Sequence, residues 1–334
     1  MSDNADMLPW LSEPIKGVYE RLQSGRLHHA LLLDAPVGIG LRTFVDAIAA
    51  LLLCESPSTA GACAGCKSCQ LVRAGTHPDM MLVEPADGKR QIAVERIREL
   101  SGFVARTASV ATRKVVLLDP ADAMNLSSAN SLLKSLEEPS AGTHLLLVTH
   151  SSGRLLPTIR SRCEQYRLPM PTYQVALNWL QGQVQPGHEK ELLDAASGCP
   201  LAAIELERQG GLELMQSVAS AFEQCSRPGS FVSPVVGSFG SHDLRELLNL
   251  MALVLLDFQR GELSGDHECC RLQFNRDIYR KIAGIASRDH LARTIAAIQH
   301  ATRDAASTAN PNGALLLEAI LIDWQSGCSG KNRR

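Results

Sequence analysis

The stretch His29-Ala-Leu-Leu-Leu-Asp-Ala-Pro-Val-Gly-Ile-Gly-Leu-Arg42 decides the fold, because it joins an apolar run to a glycine-rich turn and a helical pattern. His29–Asp34 predicts a buried strand, and Thr43–Leu53 has the apolar spacing of a helix. A strand, a glycine-rich turn over Ala35–Gly40 and a helix are the setting of a phosphate-binding loop. The sequence therefore predicts an α/β domain built around this unit.

Strand and helix patterns continue to alternate as far as residue 168. Further strands are predicted at Met80–Glu84, Lys114–Leu118, His144–Thr149 and Glu164–Leu168. Helices are predicted between them at Val94–Ala105 and Ser127–Glu138. The alternation predicts right-handed βαβ units around a parallel sheet.

The pattern changes after Pro169, and the remaining predictions are all helical. Short helices are predicted at Thr172–Gln183, His188–Ala196 and Leu201–Glu207. Longer ones follow at Leu212–Gln224, Asp243–Gln259, Glu268–Ser287, Asp289–Ala305 and Gly313–Trp324, with a loop at 226–241 and a frayed tail at 329–334. We therefore expect an α/β domain at 1–168, a small helical domain at 169–209 and an all-α domain at 210–334.

Composition indicates a soluble globular protein of two or three domains, since 45% of the 334 residues are hydrophobic and 20% are charged. A formal charge of −2 argues against a large basic field, so any DNA contact is expected to be local or shared with partners. The start, MSDNADMLPW, does not read as a secretory signal, and no apolar run is long enough for a membrane helix. A reducing cytoplasm is the expected location, and metal binding or burial the expected use of the ten cysteines.

The glycine-rich turn departs from the phosphate-loop motif G-x-x-x-x-G-K-[ST] at three of its defining positions. The first glycine is Ala35, the phosphate-binding lysine is Leu41, and the magnesium-binding hydroxyl is Arg42. Gly38 and Gly40 still permit a tight loop, but Leu41 has no charge and Arg42 would repel Mg²⁺. Either nucleotide binding has been lost here, or this is an ordinary strand–helix turn that never bound phosphate.

A second half of an ATP site would lie after a later apolar strand. Asp119 follows Lys114–Leu118, in the place of a Walker-B aspartate. A hydrolysing enzyme would place a glutamate next to polarise water, and here that residue is Pro120, which cannot act as a base. The two halves fail independently, so no bound ATP and no hydrolysis are expected in this chain.

Four cysteines have the spacing of a metal site. Cys63, Cys66 and Cys69 form a C-x₂-C-x₂-C run, and Cys54 lies nine residues earlier. Four thiolates suit a closed, tetrahedral, structural Zn²⁺ site, which would staple a segment too small and polar to build a core. An iron–sulfur cluster and free thiols remain alternatives.

The triplet Ser161-Arg162-Cys163 follows the last long apolar strand. An arginine in this region of a phosphate-loop fold can reach the nucleotide of a neighbouring subunit and stabilise charge on the γ-phosphate. The alternative is a surface arginine in a salt bridge.

These features together resemble bacterial DNA polymerase III clamp-loader subunits, a family of AAA+ proteins. The resemblance lies in Asn130-Ser-Leu-Leu-Lys-Ser-Leu-Glu-Glu-Pro139, the Ser161-Arg162-Cys163 triplet, the four-cysteine insertion, Arg26–Leu33 and His77-Pro78-Asp79. It covers the first 170 residues well and is weaker at Gly198-Cys-Pro200 and Leu315–Leu321.

The resemblance implies an AAA+ module with a zinc module at 54–69, then a helical lid and a helical collar. The degenerate loop, Pro120 and Leu201 (where motor subunits carry a sensor arginine) favour the non-hydrolysing member of the family. Arg162 would then be an arginine finger acting in trans during DNA replication. Implied partners are the gamma/tau motor subunits and the delta subunit in a hetero-pentamer, and, through the complex, the β sliding clamp and primed DNA.

Two other functions remain possible from sequence. One is a divergent motor subunit that hydrolyses ATP, with Arg42 in place of the missing lysine. The other is a zinc-dependent nucleic-acid-binding module, although only Lys67 and Arg73 supply positive charge near the cysteines.

Overall fold

The computed structural model describes residues 8–227, 229–305 and 312–329, and it contains one five-stranded parallel sheet. The strands are β1 (Ala30–Asp34), β2 (Met80–Val83), β3 (Lys114–Leu118), β4 (Thr143–Thr149) and β5 (Glu164–Arg167). They lie in the order β2-β3-β4-β1-β5, and every pairing is parallel. All five strand predictions, and the parallel sheet, are confirmed.

Both faces of this sheet are covered by helices. The chain provides α1 (Ser12–Gln23), α2 (Leu41–Leu53), α3 (Lys67–Arg73), α4 (Val94–Val104), α5 (Leu126–Glu137), α6 (Pro157–Arg160) and α7 (Tyr173–Leu180). Alternate residues of a strand point to opposite faces. Leu31 and Leu33 therefore pack in one apolar cluster with α1 and α2, and Leu32 packs in another with α4, α5 and α6. The carboxyl ends of the strands are left for the loops that carry the candidate site.

The chain divides into two units, and helices are the regular secondary structure of the second unit's described residues. The first unit comprises Met1–Trp179 and Cys199–Ala202, and the second Leu180–Gly198 and Ala203–Arg334. The remaining helices are α8 (Glu189–Ala195), α9 (Pro200–Arg208), α10 (Gly211–Cys225), α11 (Val232–Gly237), α12 (Leu244–Ser264), α13 (Arg276–Ile282), α14 (Arg288–Ala305) and α15 (Gly313–Ser329). None of the described helices has the length and hydropathy of a membrane span.

The core of the second unit is built around α12, which packs against α10 and α14. Asp243 begins α12, because its carboxylate accepts hydrogen bonds from the backbone N–H groups of Arg245 and Glu246, both at 3.0 Å. Trp324 of α15 is fully buried and donates its indole N–H to the carbonyl of Phe222 at 3.0 Å.

The predicted single helix Glu268–Ser287 is wrong. The structure has two short 3₁₀ turns and then α13, which ends at Ile282. Asp257, which is 5% exposed, accepts hydrogen bonds from the backbone N–H groups of Arg271 and Leu272 at 2.8 and 2.9 Å. Those N–H groups are satisfied without a helix, and Gly284 (φ +69°) ends the run on the other side.

Four further helices were not predicted: α1, α3, α6 and α11. The predicted loop at 226–241 contains α11, because Val232 and Val236 are buried in the core of the second unit. Helix α1 was not predicted, and it places Ile15 and Val18 in the core beneath the sheet. The predicted frayed tail lies, beyond Ser329, outside the described residues.

Candidate functional site

Both glycines of the glycine-rich turn have positive φ angles. Gly38 and Gly40 have φ angles of +90° and +89°, a conformation that residues with a Cβ rarely adopt. The loop joins β1 to α2, as the sequence predicted. Ala35, at the place of the missing glycine, is buried, and its carbonyl oxygen lies 2.7 Å from Nδ1 of His150.

The chain itself covers this loop. The backbone N–H of Leu201 donates to the carbonyl of Gly38 at 2.9 Å, and a Cβ built on Gly38 would lie only 2.4 Å from the Cβ of Ala202. The indole N–H of Trp10 donates to the carbonyl of Ile39 at 2.8 Å. Residues 201–202 therefore pack directly on the turn, and two of its carbonyl groups already have donors.

Two of the three substituted motif positions, Leu41 and Arg42, lie in different surroundings. Leu41 is 3% exposed and packs in the apolar core. Arg42 forms ion pairs with Asp46, Glu84 and Asp119, with nitrogen–oxygen distances of 3.1, 3.0 and 3.0 Å. Burial opposes the charged form of Arg42, but the three carboxylates outweigh burial and raise the pKa of the guanidinium. Arg42 thus neutralises the candidate Walker-B aspartate from within the chain.

The other polar groups at this end of the sheet are also engaged. Asp34, at the end of β1, accepts a hydrogen bond from the Ser152 hydroxyl at 2.9 Å. Thr149, at the end of β4, donates its hydroxyl proton to Asp122 at 3.0 Å. Pro120 follows Asp119 in extended conformation and brings no ionisable group. Asp34, Thr149 and Asp119 are therefore all paired within the chain.

Arg162 lies in a very different setting. It follows α6, and its side chain is 35% exposed. Its Nε donates to Oε1 of Glu137 at 2.7 Å and Nη2 lies 2.5 Å from the same oxygen, while Nη1 donates to the carbonyl of Thr158 at 3.1 Å. The salt bridge weighed as an alternative from sequence is present, and the arginine-finger role stays a prediction.

The two neighbours of Arg162 face inward or back onto the chain. The hydroxyl of Ser161 donates to the carbonyl of Thr158 at 3.1 Å. Cys163 is buried in the core, and burial raises the pKa of its thiol to about 12. Arg162 is thus the member of the triplet that brings charge to the surface.

The four cysteines predicted to bind metal come together. The Sγ atoms of Cys54, Cys63, Cys66 and Cys69 all lie within 4.8 Å of one another, and those of Cys63 and Cys69 are 4.0 Å apart. A tetrahedral zinc with Zn–S bonds of about 2.3 Å requires sulfur atoms about 3.8 Å apart. The donor set and its spacing fit a zinc ion.

Backbone N–H groups surround these sulfur atoms, as expected for thiolate ligands. Cys54 accepts from the N–H of Cys63 at 3.2 Å, and Cys66 accepts from the N–H of Cys69 at 3.4 Å. Hydrogen bonds from the backbone of Cys66 and Gly65 lower the pKa of Cys63 to about 6, whereas burial raises that of Cys69.

His77 and Asp79 support the cysteine segment and the sheet, a role the sequence did not reveal. His77 Nδ1 accepts the N–H of Asp79 at 3.0 Å, so its Nε2 carries the proton that faces the Ser68 hydroxyl at 2.6 Å. This bond ties Ser68 of α3, which lies between Cys66 and Cys69, to the segment just before β2. The carboxylate of Asp79 accepts N–H bonds from Ser109 and Ala111 at 2.6 and 2.8 Å, which fix the loop before β3.

The fold and the site define an α/β protein with a degenerate phosphate loop, followed by an all-α region. The family model described as DNA polymerase III, delta subunit, matches residues 11–172, and the model for the C-terminal part of that delta subunit matches residues 212–326. The chain is 39% identical to the DNA polymerase III subunit delta' of Pseudomonas aeruginosa, over 96% of this chain and 98% of that protein. It is 30% identical to the subunit delta' of Escherichia coli, over 94% of each.

The chain belongs to the DNA polymerase III subunit delta' family, and the resemblance found in the sequence is confirmed. A solved DNA polymerase III gamma subunit-related protein from Thermotoga maritima aligns over 95% of this chain and 99% of its own at 18% identity, with a TM-score of 0.49.

Proposed function

We propose that this chain is a clamp-loader subunit of DNA polymerase III that does not hydrolyse ATP and that completes a neighbouring subunit's ATP site with Arg162. One contrast carries the proposal. The chain's own phosphate loop is covered by Leu201 and Ala202, while Arg162 stands at the surface. The names of the relatives support the replication role.

The domains follow the family architecture in this proposal. Residues 1–168 form the AAA+ module with the zinc module at 54–69, residues 169–209 the lid, and residues 210–334 the collar. The collar joins the chain to gamma/tau motor subunits and the delta subunit in the cytoplasm. The assembled pentamer opens the β sliding clamp and places it on primed DNA.

Arg162 supplies charge, and another subunit supplies the nucleotide. As negative charge spreads over the oxygens of the transferred γ-phosphoryl group, a guanidinium held against it stabilises the transition state. Leu41 offers no cation to phosphate, Arg42 already pairs with Asp119, and Pro120 is no base. The same features disfavour the divergent-ATPase alternative.

The four cysteines would hold a structural zinc. Cys54, Cys63, Cys66 and Cys69 supply four thiolates and leave no open position for a catalytic water. The ion would replace a hydrophobic core for residues 55–62. Metal analysis of the purified chain tests this: about one zinc per chain is expected, and a metal-free, fully folded protein would contradict it. The nucleic-acid-binding alternative is not favoured by any contact among the described residues.

Reconstitution with the motor and delta subunits tests the function. Clamp loading on primed DNA should require this chain, and Arg162→Ala should allow assembly but slow single-turnover hydrolysis at the neighbouring site about 10³-fold. Arg167→Ala is the control, because Arg167 is a nearby arginine with a side chain 83% exposed. An unchanged rate with Arg162→Ala removes the finger role, and micromolar ATP binding with turnover by the isolated chain removes the non-hydrolysing role.

A further inference from the structure

Arg162 and Glu137 are brought together by packing rather than by chance contact of two flexible side chains. Leu136 of α5 and Ile159 of α6 are 2% and 0% exposed and belong to the same apolar cluster. Glu137 is the residue after Leu136 and ends α5, so it faces outward where the helix stops. Arg162 follows Ile159 by one short turn. Two buried anchors therefore fix the separation of the two charged side chains.

The contact uses one side of the guanidinium. An arginine has five N–H donors. Nε and Nη2 meet the carboxylate of Glu137, and Nη1 meets the carbonyl of Thr158. Three donors are thereby engaged, and two remain, one on each terminal nitrogen. A free donor on each of the two terminal nitrogens, together called the terminal fork, is what a contact to two oxygens of one phosphate requires.

We propose that Glu137 is a positioning residue for the arginine finger: it holds the guanidinium so that the terminal fork points outward, toward a phosphate of the neighbouring subunit. This inference rests on the proposed role of Arg162. A long, solvated arginine otherwise samples many rotamers, and ordering it at the moment of reaction costs free energy. The carboxylate orders it beforehand. It does so without occupying the two donors that a phosphate needs, so Glu137 stays in place during the reaction.

The negative charge of Glu137 raises the alternative that it competes with phosphate for Arg162. The carboxylate of Glu137 offsets part of the positive charge of Arg162. If Glu137 competed with phosphate for the guanidinium, it would have to release the guanidinium before hydrolysis. Because the terminal nitrogens keep one donor each, no release is required. Removing Glu137 should therefore slow hydrolysis; a competitor would give the opposite result.

The test compares four chains in the reconstituted complex: Glu137→Ala, Glu137→Gln, Arg162→Ala and the double variant. Glu137→Ala should lower kcat for ATP about 10-fold, the effect of one lost charge-assisted hydrogen bond, and leave KM within about twofold. Glu137→Gln, which keeps an acceptor oxygen, should recover much of the rate. The double variant should be no slower than Arg162→Ala alone, because Glu137 acts only through that arginine.

Glu138→Ala is the matched control. Glu138 carries the same charge on the next residue, is exposed, and forms no ion pair among the described residues. Its kcat should be unchanged. A Glu137→Ala complex that is as fast as or faster than the unmodified one, or additive losses in the double variant, overturns the positioning role and leaves the finger standing. An Arg162→Ala complex that hydrolyses ATP at the unmodified rate overturns both the positioning role and the finger role.

Discussion

The phosphate loop and the Arg162 turn both present an arginine, and the two arginines are used in opposite ways. Arg42 is surrounded by Asp46, Glu84 and Asp119 of its own chain, three carboxylates around one guanidinium. Arg162 meets one carboxylate and one backbone carbonyl, and these contacts leave two of its five N–H donors unused. An arginine's availability is therefore decided by the neighbours that fold around it, and the motif in which it lies does not reveal this.

Rebuilding the loop motif tests the contrast most severely. The variant Leu41→Lys with Arg42→Thr restores two motif residues, but it puts a lysine where a buried leucine packs and removes the three ion pairs of Arg42. We expect a loss of about 3–5 kcal/mol in the free energy of unfolding, measured by urea denaturation.

Mg-ATP should not recover that stability, because Ala202 still lies on Gly38. Stabilisation that rises with ATP concentration would show that the loop can open and bind, and it would break the contrast between the two regions.

Gly38→Ala probes the covering of the loop. The new methyl group would lie 2.4 Å from the Cβ of Ala202 on a backbone with φ +90°, so strain and collision add. Gly25→Ala is the control, since Gly25 has φ +66° and nothing within 4 Å of a built Cβ.

Conformational strain alone costs about 1–2 kcal/mol and should appear in both variants. Gly38→Ala should cost about 2 kcal/mol more, in line with overpacking of a close contact. Equal thermal stability of the two variants would mean that residues 201–202 do not hold the loop in solution.

Arg42→Gln should have the smallest effect. Its side chain is 41% exposed, so the lost ion pairs are screened by water, and we expect about 1 kcal/mol. Burial already raises the pKa of Asp46 in spite of the nearby Arg42. The negative charges of Asp119 and Glu84 raise the pKa of Asp46 further. The variant should therefore lose less stability at high salt, where repulsion among the three carboxylates is screened. A salt-independent loss would indicate packing as its source.

The sequence predicted the features that depend on residues close together along the chain. The five strands follow from apolar runs such as Lys114–Leu118, and the four cysteines from their spacing. The defects at Leu41 and Arg42 could be read from one motif. Contacts between residues far apart in the sequence could not be predicted. Nothing near Gly38 in the sequence indicates that Leu201 and Ala202 will lie on it.

The failures have the same origin. The helix predicted at 268–287 has suitable periodicity. Asp257, on another helix, accepts hydrogen bonds from the backbone at 271–272, and a continuous helix does not form there. Glu137 belongs to the run that carried the resemblance, yet its contact with Arg162 spans 25 residues and depends on the packing of Leu136 and Ile159. Tertiary partners overrode local preference in each case.

The hydrogen bond from Leu201 to Gly38 also sets a threshold for any anion that approaches the loop. A ligand must wait for the covering segment to leave, so its apparent affinity is the intrinsic affinity multiplied by the fraction of molecules that are open. An opening cost of about 3 kcal/mol weakens binding about 150-fold. At such a cost, ATP and ADP alike would bind the loop about 150-fold more weakly than an uncovered loop would bind them.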